Sequence, residues 1–276
     1  FLCVPLERSE KGMVFFMNKF SVLGKDERSN YIRKEYIKEG IKMVDYKEAD
    51  YIIAPIPFSR DGIYINTECI KCDEFVSDIK GKTLFSGSIL PDIKNSLNEN
   101  NICFYDLMEE DDVAILNAIP TAEGAIFEAI KNSVTTLNGS NSLVLGYGRI
   151  GKVLSNMLKG IGANVFCEAR KKKDFAYISA YGYNVVHLED LEKVIGNMDY
   201  IFNTIPVKIL NKSYLEKVKE DVVIIDLASN PGGVDFEEAK RKNLNVTWAL
   251  SLPSKVAPKT AGLYLKNKID SIIFKV

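Results

Sequence analysis

Six consecutive residues, Gly146-Tyr147-Gly148-Arg149-Ile150-Gly151, carry the clearest chemical signal in the chain. They follow the apolar run Ser142-Leu143-Val144-Leu145 and open an amphipathic stretch that runs to Gly160. A strand, a G-x-G-x-x-G turn and a helix in that order form a site for a dinucleotide diphosphate. The first glycine permits the tight turn. The second lets backbone N–H groups approach the phosphates, and the third lets the helix pack on the strand. The positive end of the helix dipole then faces the anion. Gly146, Tyr147, Gly148, Arg149, Ile150 and Gly151 are therefore the candidate cofactor cradle, for NADP or NAD.

Selection between the two should lie at the end of the next strand, Asn164-Val165-Phe166-Cys167. Glu168 stands where an acid that favours NAD belongs, about 20 residues past the glycines. Arg170 and Lys171-Lys172-Lys173 follow at once and suit a 2′-phosphate. These signals conflict, and the charge run also fits a solvated loop. The reading leans slightly to NADP, with Arg170 in the loop over the adenosine ribose. Asn203, Thr204 and Ser229 fall at the carboxyl ends of further strands, where open α/β sheets bind ligands. They suit contacts to the nicotinamide ribose or carboxamide. Turn and cap chemistry explains them equally well. Pro231-Gly232-Gly233 reads as a turn before a helix that begins near Asp235.

Other catalytic types are poorly supplied. The single histidine, His187, lies between a strand end and a helix, a structural setting. A Ser-His-Asp hydrolase would have to use it. Five cysteines at irregular spacing do not read as a disulfide framework. Cys69-Ile70-Lys71-Cys72 has no second ligand pair for a structural zinc, so no metal is expected.

The elements that must position the glycine turn are those of an α/β chain. Short apolar runs alternate with amphipathic stretches, the pattern of βαβ units around a parallel sheet. Strands are expected at Phe20 to Gly24, Tyr51 to Pro55, Thr83 to Phe85 and Ile102 to Tyr105, then at Tyr200 to Asn203, Val222 to Asp226 and Asn245 to Ala249. A helix from Asp26 to Gly40 should share one face among Tyr31, Ile32, Tyr36 and Ile37. A second should open at Pro120 and run from about Thr121 to Thr135, joining the domains. The last, Pro258 to Phe274, has Ala261, Leu265, Ile269 and Ile272 at helical spacing. The fold class is α/β, with two open doubly wound parallel-sheet domains, the second a Rossmann dinucleotide-binding domain. The expected divisions are 17–119 for a substrate domain, 120–255 for the NAD(P) domain, and 256–276 for a helix packing back toward the first. Met17 suits a chain start, with residues 1–16 an extension.

The halves echo each other: Asp50 to Pro57 resembles Asp199 to Pro206. The first half, however, has Gly24-Lys25-Asp26 after its first strand. A carboxylate at the second glycine position opposes a pyrophosphate, which assigns the dinucleotide to the second half. The chain of 276 residues is 46% hydrophobic, enough for two cores, and its net charge of -1 argues against a nucleic-acid partner. No apolar run reaches about 18 residues, and no secretory signal is visible, so no membrane role is expected.

Several segments, taken in order, resemble the A-subunit family of dipicolinate synthase: Ile119-Pro120-Thr121-Ala122-Glu123-Gly124, the glycine turn, Asn203-Thr204-Ile205-Pro206, Asp226 to Gly233, and Leu252 to Gly262. Weaker matches are Gly24 to Arg28 and Phe85-Ser86-Gly87. The resemblance runs from about Phe20 to the C-terminus. Ser254 and Lys25 stand where the family often has glycine, and the basic loop after Arg170 also differs. The resemblance implies an enzyme of the mother-cell cytoplasm of a sporulating bacterium. It would work with the flavoprotein-like B-subunit of dipicolinate synthase and oxidise dihydrodipicolinate or 4-hydroxy-tetrahydrodipicolinate with NAD(P). A homo-oligomer is also compatible. A substrate with two carboxylates calls for Arg, Lys, hydroxyl or backbone donors. The candidates are Arg28, Ser86, Gly87, Ser88, Thr121 and Lys255, with Glu123 and Lys255 as catalytic groups. Glu123 suits a base if burial raises its pKa, and suits first-turn helix capping equally. Rival readings are a 2-hydroxy acid or shikimate-type dehydrogenase and a non-catalytic NAD(P)-sensing protein.

Overall fold

The computed structural model describes residues 18–274. The expectations for residues 1–16 and for Met17 lie outside them. The chain divides into two compact units, one built from residues up to Asn117 together with those from Ala257 onward, the other from Ala118–Val256.

In the first unit, strands β1 (Phe20–Val22), β2 (Tyr51–Ile53), β3 (Thr83–Ser86) and β4 (Cys103–Asp106) alternate with helices α1 (Glu27–Lys38), α2 (Cys72–Asp78) and α3 (Pro91–Glu99). The strands form a parallel sheet in the order β1-β2-β3-β4, and Met43 adds a parallel bridge to Phe20 beyond β1. Phe20, Ile52, Ile53, Leu84 and Phe85 are buried. Continuous apolar runs of this kind are what a sheet covered on both faces requires. Asp26 caps α1, its carboxylate accepting from the Ser29 N–H at 2.8 Å. Ile32 and Tyr36 are buried on this helix, Tyr31 is half-buried, and Ile37 is 54% exposed. The four-residue face therefore contracts: at about 100° per residue, Ile37 rotates off a stripe centred on Ile32 and Tyr36.

The last helix, Pro258–Phe274, belongs to this unit and packs along α1. Ala261, Leu265, Ile269 and Ile273 are buried on it, and Ile272 is only half-buried. Gly262 allows the approach, since a Cβ there would lie 3.1 Å from the Arg28 carbonyl.

Helix α4 (Asp111–Lys131) is continuous and contains Pro120 in its interior. This corrects the expectation of a helix opening at Pro120 and reaching Thr135. Proline removes the N–H that would bind the carbonyl four residues back, a loss a helix tolerates when tertiary packing holds it. The packing here comes from Ala118, Ala122, Ala125 and Ala129, all buried. By length and composition α4 is apolar enough to cross a membrane. Counting uninterrupted apolar runs missed this, because Glu123 and Glu128 interrupt the sequence but share the turns with buried alanines.

The second unit contains β5 (Asn141–Leu145), α5 (Arg149–Ile161), β6 (Asn164–Glu168), α6 (Lys172–Ala180), β7 (Asn184–Val186), α7 (Leu191–Val194), β8 (Tyr200–Asn203), α8 (Lys212–Leu215), β9 (Val223–Asp226), α9 (Phe236–Arg241), β10 (Asn245–Trp248) and α10 (Leu252–Val256). Its parallel sheet has the order β10-β9-β8-β5-β6-β7. This is the doubly wound order whose direction of winding reverses between β5 and β8. The basic run after Arg170 is not a loop: Lys171 is the N-cap of α6 and Lys172 its first residue.

Candidate active site

Register aligns the strand ends of the second unit. Leu145 pairs with Glu168 on one side and Asn203 on the other, and Asn203 pairs with Asp226. The glycine turn rises from the middle of this row at the winding reversal, where such sheets bind ligands.

Gly146 has φ +90°, a left-handed value that favours glycine, and a Cβ there would lie 2.5 Å from Thr204 Oγ1. A Cβ on Gly151 would collide with the Gly146 carbonyl oxygen, so α5 can start this close to the turn only without a side chain. Gly148 is the extended N-cap of α5, with no side-chain cap, and the space beside it is open. The first-turn N–H groups of α5 thus lack a protein side-chain cap at a helix start that a diphosphate would suit. These residues fit NAD(P). Arg149 is exposed and Ile150 half-buried, while the Tyr147 ring turns into the core, where burial raises its phenol pKa.

The corresponding turn of the first unit is already filled. Gly24 N–H donates to Glu68 Oε1 at 2.9 Å, and Lys25 N–H donates to Thr67 Oγ1 at 3.1 Å. A carboxylate and a hydroxyl of the chain itself thus engage the amides that a phosphate would need. Asp26 bends back as the cap of α1. Nothing local in the sequence signals Glu68, which arrives from 44 residues away.

Glu168 ends β6 with 1% exposure. Its Oε2 accepts from the Gly146 N–H at 3.2 Å, and its Oε1 is buried without a hydrogen-bond partner. Burial holds this carboxyl above the usual range, against the opposing pull of the Gly146 N–H and the nearby Arg170. An unpartnered buried polar atom costs about 1–3 kcal/mol. Arg170 itself is exposed.

Asn203 departs from its expected role. It is fully buried, its Nδ2 donates to the Ile205 carbonyl at 3.0 Å and to Asp226 Oδ1 at 2.8 Å, and its Oδ1 accepts from the Ile205 N–H at 3.1 Å. Both donors are engaged, which leaves the amide bracing the strand ends rather than offering them to a nicotinamide. Asp226 completes the brace, with Oδ2 accepting from the Gly233 N–H at 2.7 Å. A Cβ on Gly233 would overlap the Asn203 amide, which accounts for the second glycine of Gly232-Gly233. Thr204 donates to the Leu145 carbonyl at 2.9 Å, tying β8 to the start of the glycine turn. Ser229 is exposed beyond β9.

In the first unit the Arg28 guanidinium is buried, donates to the Ile56 carbonyl at 2.6 Å and lies 3.8 Å from Asp26. Burial lowers its pKa, with Asp26 opposing. Ser86 is buried and donates to the Pro55 carbonyl at 2.7 Å, so its hydrogen serves the fold. A Cβ on Gly87 would lie 2.8 Å from Met108 Cγ. Ser88 is exposed at φ +52°, and its N–H donates to Asp106 Oδ1 at 2.9 Å. Asp106 also accepts from Ile89 N–H and pairs with Lys94 at 2.9 Å. It is the residue that shapes this loop, and sequence reasoning passed over it. Its register partner is Ser86, which marks the position.

Thr121 is buried in the second unit. Glu123 and Lys255 are exposed. Glu123 lacks the burial that its role as a base called for. It also lies well inside α4 rather than in a first turn, which removes the capping alternative. His187 is exposed beyond the edge strand β7, its ring 4.3 Å from that of Phe175.

Among the described residues no group of three or more His, Cys, Asp or Glu side chains is arranged to hold a metal. Cys69 is exposed and Cys72 buried. Burial pushes the Cys167 thiol up to about 12 and raises that of Cys72. Alkylation of the native protein at pH 8 is therefore expected to label Cys69 well before Cys72 and Cys167, read by peptide mass mapping. Equal labelling of Cys167 would show that its site is open.

Residues 120–234 match the family described as D-isomer specific 2-hydroxyacid dehydrogenase, NAD binding domain. Fold and site together define an NAD(P)-dependent oxidoreductase. The dipicolinate synthase A-subunit of Bacillus subtilis (strain 168) is 33% identical over 246 residues, covering 87% of this chain and 83% of that protein. The crystal structure of the dipicolinate synthase A-subunit from Bacillus halodurans superposes with a TM-score of 0.84 at 27% identity, covering 93% of this chain and 97% of that one. The crystal structure of the Bacillus subtilis protein gives 0.82 at 29%, covering 93% and 95%. This chain belongs to the A-subunit family of dipicolinate synthase.

Proposed function

We propose that the chain oxidises dihydrodipicolinate to dipicolinate with NAD(P), together with a flavoprotein-like B-subunit, in the mother-cell cytoplasm of a sporulating bacterium. The observation that carries this reading is the match to the dipicolinate synthase A-subunit along 87% of the chain. The reaction removes a hydride from a ring carbon and a proton from the ring, and aromatisation provides the driving force. A 4-hydroxy-tetrahydro form would first lose water. The cofactor, when bound, accepts the hydride at its nicotinamide.

The chain's own residues do the rest. The α5 amides and the glycine turn would hold the diphosphate, and Thr204 and Ser229 follow β8 and β9 past the strand ends where such sheets bind ligands. Arg28, with Ser88 and the Gly87 backbone, supplies cationic and polar groups for a carboxylate in the first unit. Thr121 and Lys255 are the corresponding candidates in the second. Glu123 is the candidate acceptor for the ring proton, as an exposed rather than a buried carboxylate.

The dehydrogenase-type NAD domain favours a 2-hydroxy acid dehydrogenase as a second reading. Such enzymes commonly use a histidine acid/base, and His187 sits past the sheet edge against Phe175. The deciding experiment supplies the product of dihydrodipicolinate synthase to the chain, alone and with the B-subunit, with each cofactor. Ultraviolet absorbance of dipicolinate is the expected result. Absence of signal with folded proteins, or turnover of simple 2-hydroxy acids instead, would overturn the proposal.

A further inference from the structure

The second unit carries an aromatic and cationic face that neither its core nor its glycine turn uses. Tyr177 on α6 and Tyr181 just past it are 51% and 60% exposed, and their rings stack with centroids 6.1 Å apart. Lys173, Tyr177 and Tyr181 recur every four residues and so share one stripe of the helix. The stripe stands on a fixed floor. Ile178 is fully buried, and the buried Tyr183 lies 6.1 Å from the Tyr181 ring. Lys152 of α5 lies 5.6 Å from the Tyr147 ring and 5.7 Å from that of Tyr177. Lys159, further along α5, donates to the Gly182 carbonyl at 3.4 Å. The whole chain is balanced, with 36 Lys and Arg against 37 Asp and Glu, but this face is not. The single acid of α5 and α6 is Asp174, which pairs with Lys152 at 3.7 Å. Lys159, Arg170, Lys171, Lys172 and Lys173 are exposed, and among the described residues none of them forms an ion pair.

A dinucleotide at the glycine turn does not account for this face. Nucleotides sit at the carboxyl ends of the strands. Helix α6 starts at that end of β6 and runs back along the sheet toward the start of β7. Tyr181 therefore lies about 13 Å beyond Lys172, away from the turn. Tyrosines held rigid in the open and ringed by cations are instead the makings of a protein interface, where aromatic anchors carry the affinity and charges steer the encounter. We propose that this face of α5 and α6 docks an acidic surface of a partner protein, with Tyr177 and Tyr181 as anchors and Lys159 and Lys173 opposite carboxylates. A nucleic acid or an anionic bilayer suits the chain less well, because its net charge of -1 gives no long-range field to draw a polyanion. Under the function proposed above the partner is the B-subunit of dipicolinate synthase, and the inference rests on that reading for its partner.

The test titrates the purified full chain with the purified B-subunit by calorimetry, at low and at high salt. It is repeated with the double variant Tyr177→Ala, Tyr181→Ala, with Lys173→Glu, and with Phe127→Ala, which removes a ring 54% exposed on α4. Thermal melts and NADH titrations of each variant should match wild type, since none of these side chains serves the core or the glycine turn. The double variant is expected to lose at least about tenfold in affinity for the B-subunit. Lys173→Glu should weaken binding at low salt and reduce its dependence on salt, and Phe127→Ala should change nothing. Wild-type affinity in the double variant, or a loss confined to Phe127→Ala, would overturn the inference and leave the proposed function standing. Folded wild type that does not bind the B-subunit would overturn it as well, and dipicolinate formation by the chain alone then judges the function separately. Binding of duplex DNA or phosphatidylglycerol vesicles that Lys173→Glu abolishes, with B-subunit binding unaffected, would assign the face to a polyanion and overturn it too.

Discussion

Gly151→Ala is expected to weaken dinucleotide binding by one to two orders of magnitude. A Cβ at this position meets the Gly146 carbonyl oxygen, which is backbone and cannot turn aside as a side chain could. Either α5 retreats from the turn or the turn opens. Both displace the α5 N–H groups from the phosphates. Overpacking of this kind costs about 1–3 kcal/mol, and a loss of that size from binding is roughly fivefold to 150-fold in affinity. Gly148→Ala provides the comparison, because its Cβ would meet no protein atom within 4 Å. It should leave the melting temperature unchanged and act on nucleotide binding alone. Thermal melts with and without NADH separate the two. A Gly151→Ala protein that melts and binds like wild type would show that the collision is relieved elsewhere.

Asp270→Ala is expected to have the largest effect on the fold of the first unit. On the last helix, Asp270 accepts from Tyr36 Oη at 3.0 Å and from Lys266 Nζ at 2.7 Å. Lys266 is 4% exposed, pairs also with Glu39 at 2.8 Å and lies 4.5 Å above the Tyr36 ring. Burial opposes the Lys266 charge, but the pairs with Asp270 and Glu39 outweigh it, and its pKa is raised. Removing Asp270 leaves a buried ammonium with one half-exposed carboxylate and leaves the Tyr36 hydroxyl without its acceptor. Breaking a buried pair in this way costs about 3–5 kcal/mol. Glu39 remains, so about 3 kcal/mol is expected, a drop in Tm of roughly 6–12 °C. The double variant Lys266→Met with Asp270→Leu should recover much of the loss, because an apolar pair of similar size carries no desolvation penalty. A double variant less stable than Asp270→Ala would contradict this account.

These two sites differ in how far the sequence discloses them. The glycine turn is legible because its signal is local: strand, three glycines and helix follow one another directly along the chain. The parallel strands are legible for a similar reason, since a sheet covered on both faces must be apolar throughout. Lys266 and Asp270 read as an ordinary exposed pair one helical turn apart, and only packing on α1 buries them. Pro120 misleads because proline fits both a first helical turn and an interior held by neighbours. The buried alanine stripe from Ala118 to Ala129 decides for the interior.

At the site, residue type alone cannot assign polar groups to a ligand or to the fold. Asn203 and Thr204 adjoin one another at the end of β8, yet Asn203 is closed off by Asp226, its register partner, and by Ile205. Glu168 and Arg170 are two residues apart, and it is burial, invisible in the sequence, that separates them. Glu68 closes the first unit's turn from another segment altogether.

The most direct test is a crystal structure of the chain grown with NADH. Density for the diphosphate should lie on the N–H groups of Gly148 to Gly151, with the Gly24 turn still engaged by Glu68. A nucleotide bound at the Gly24 turn, or anywhere else with the Gly146–Gly151 amides left bare, would contradict the account.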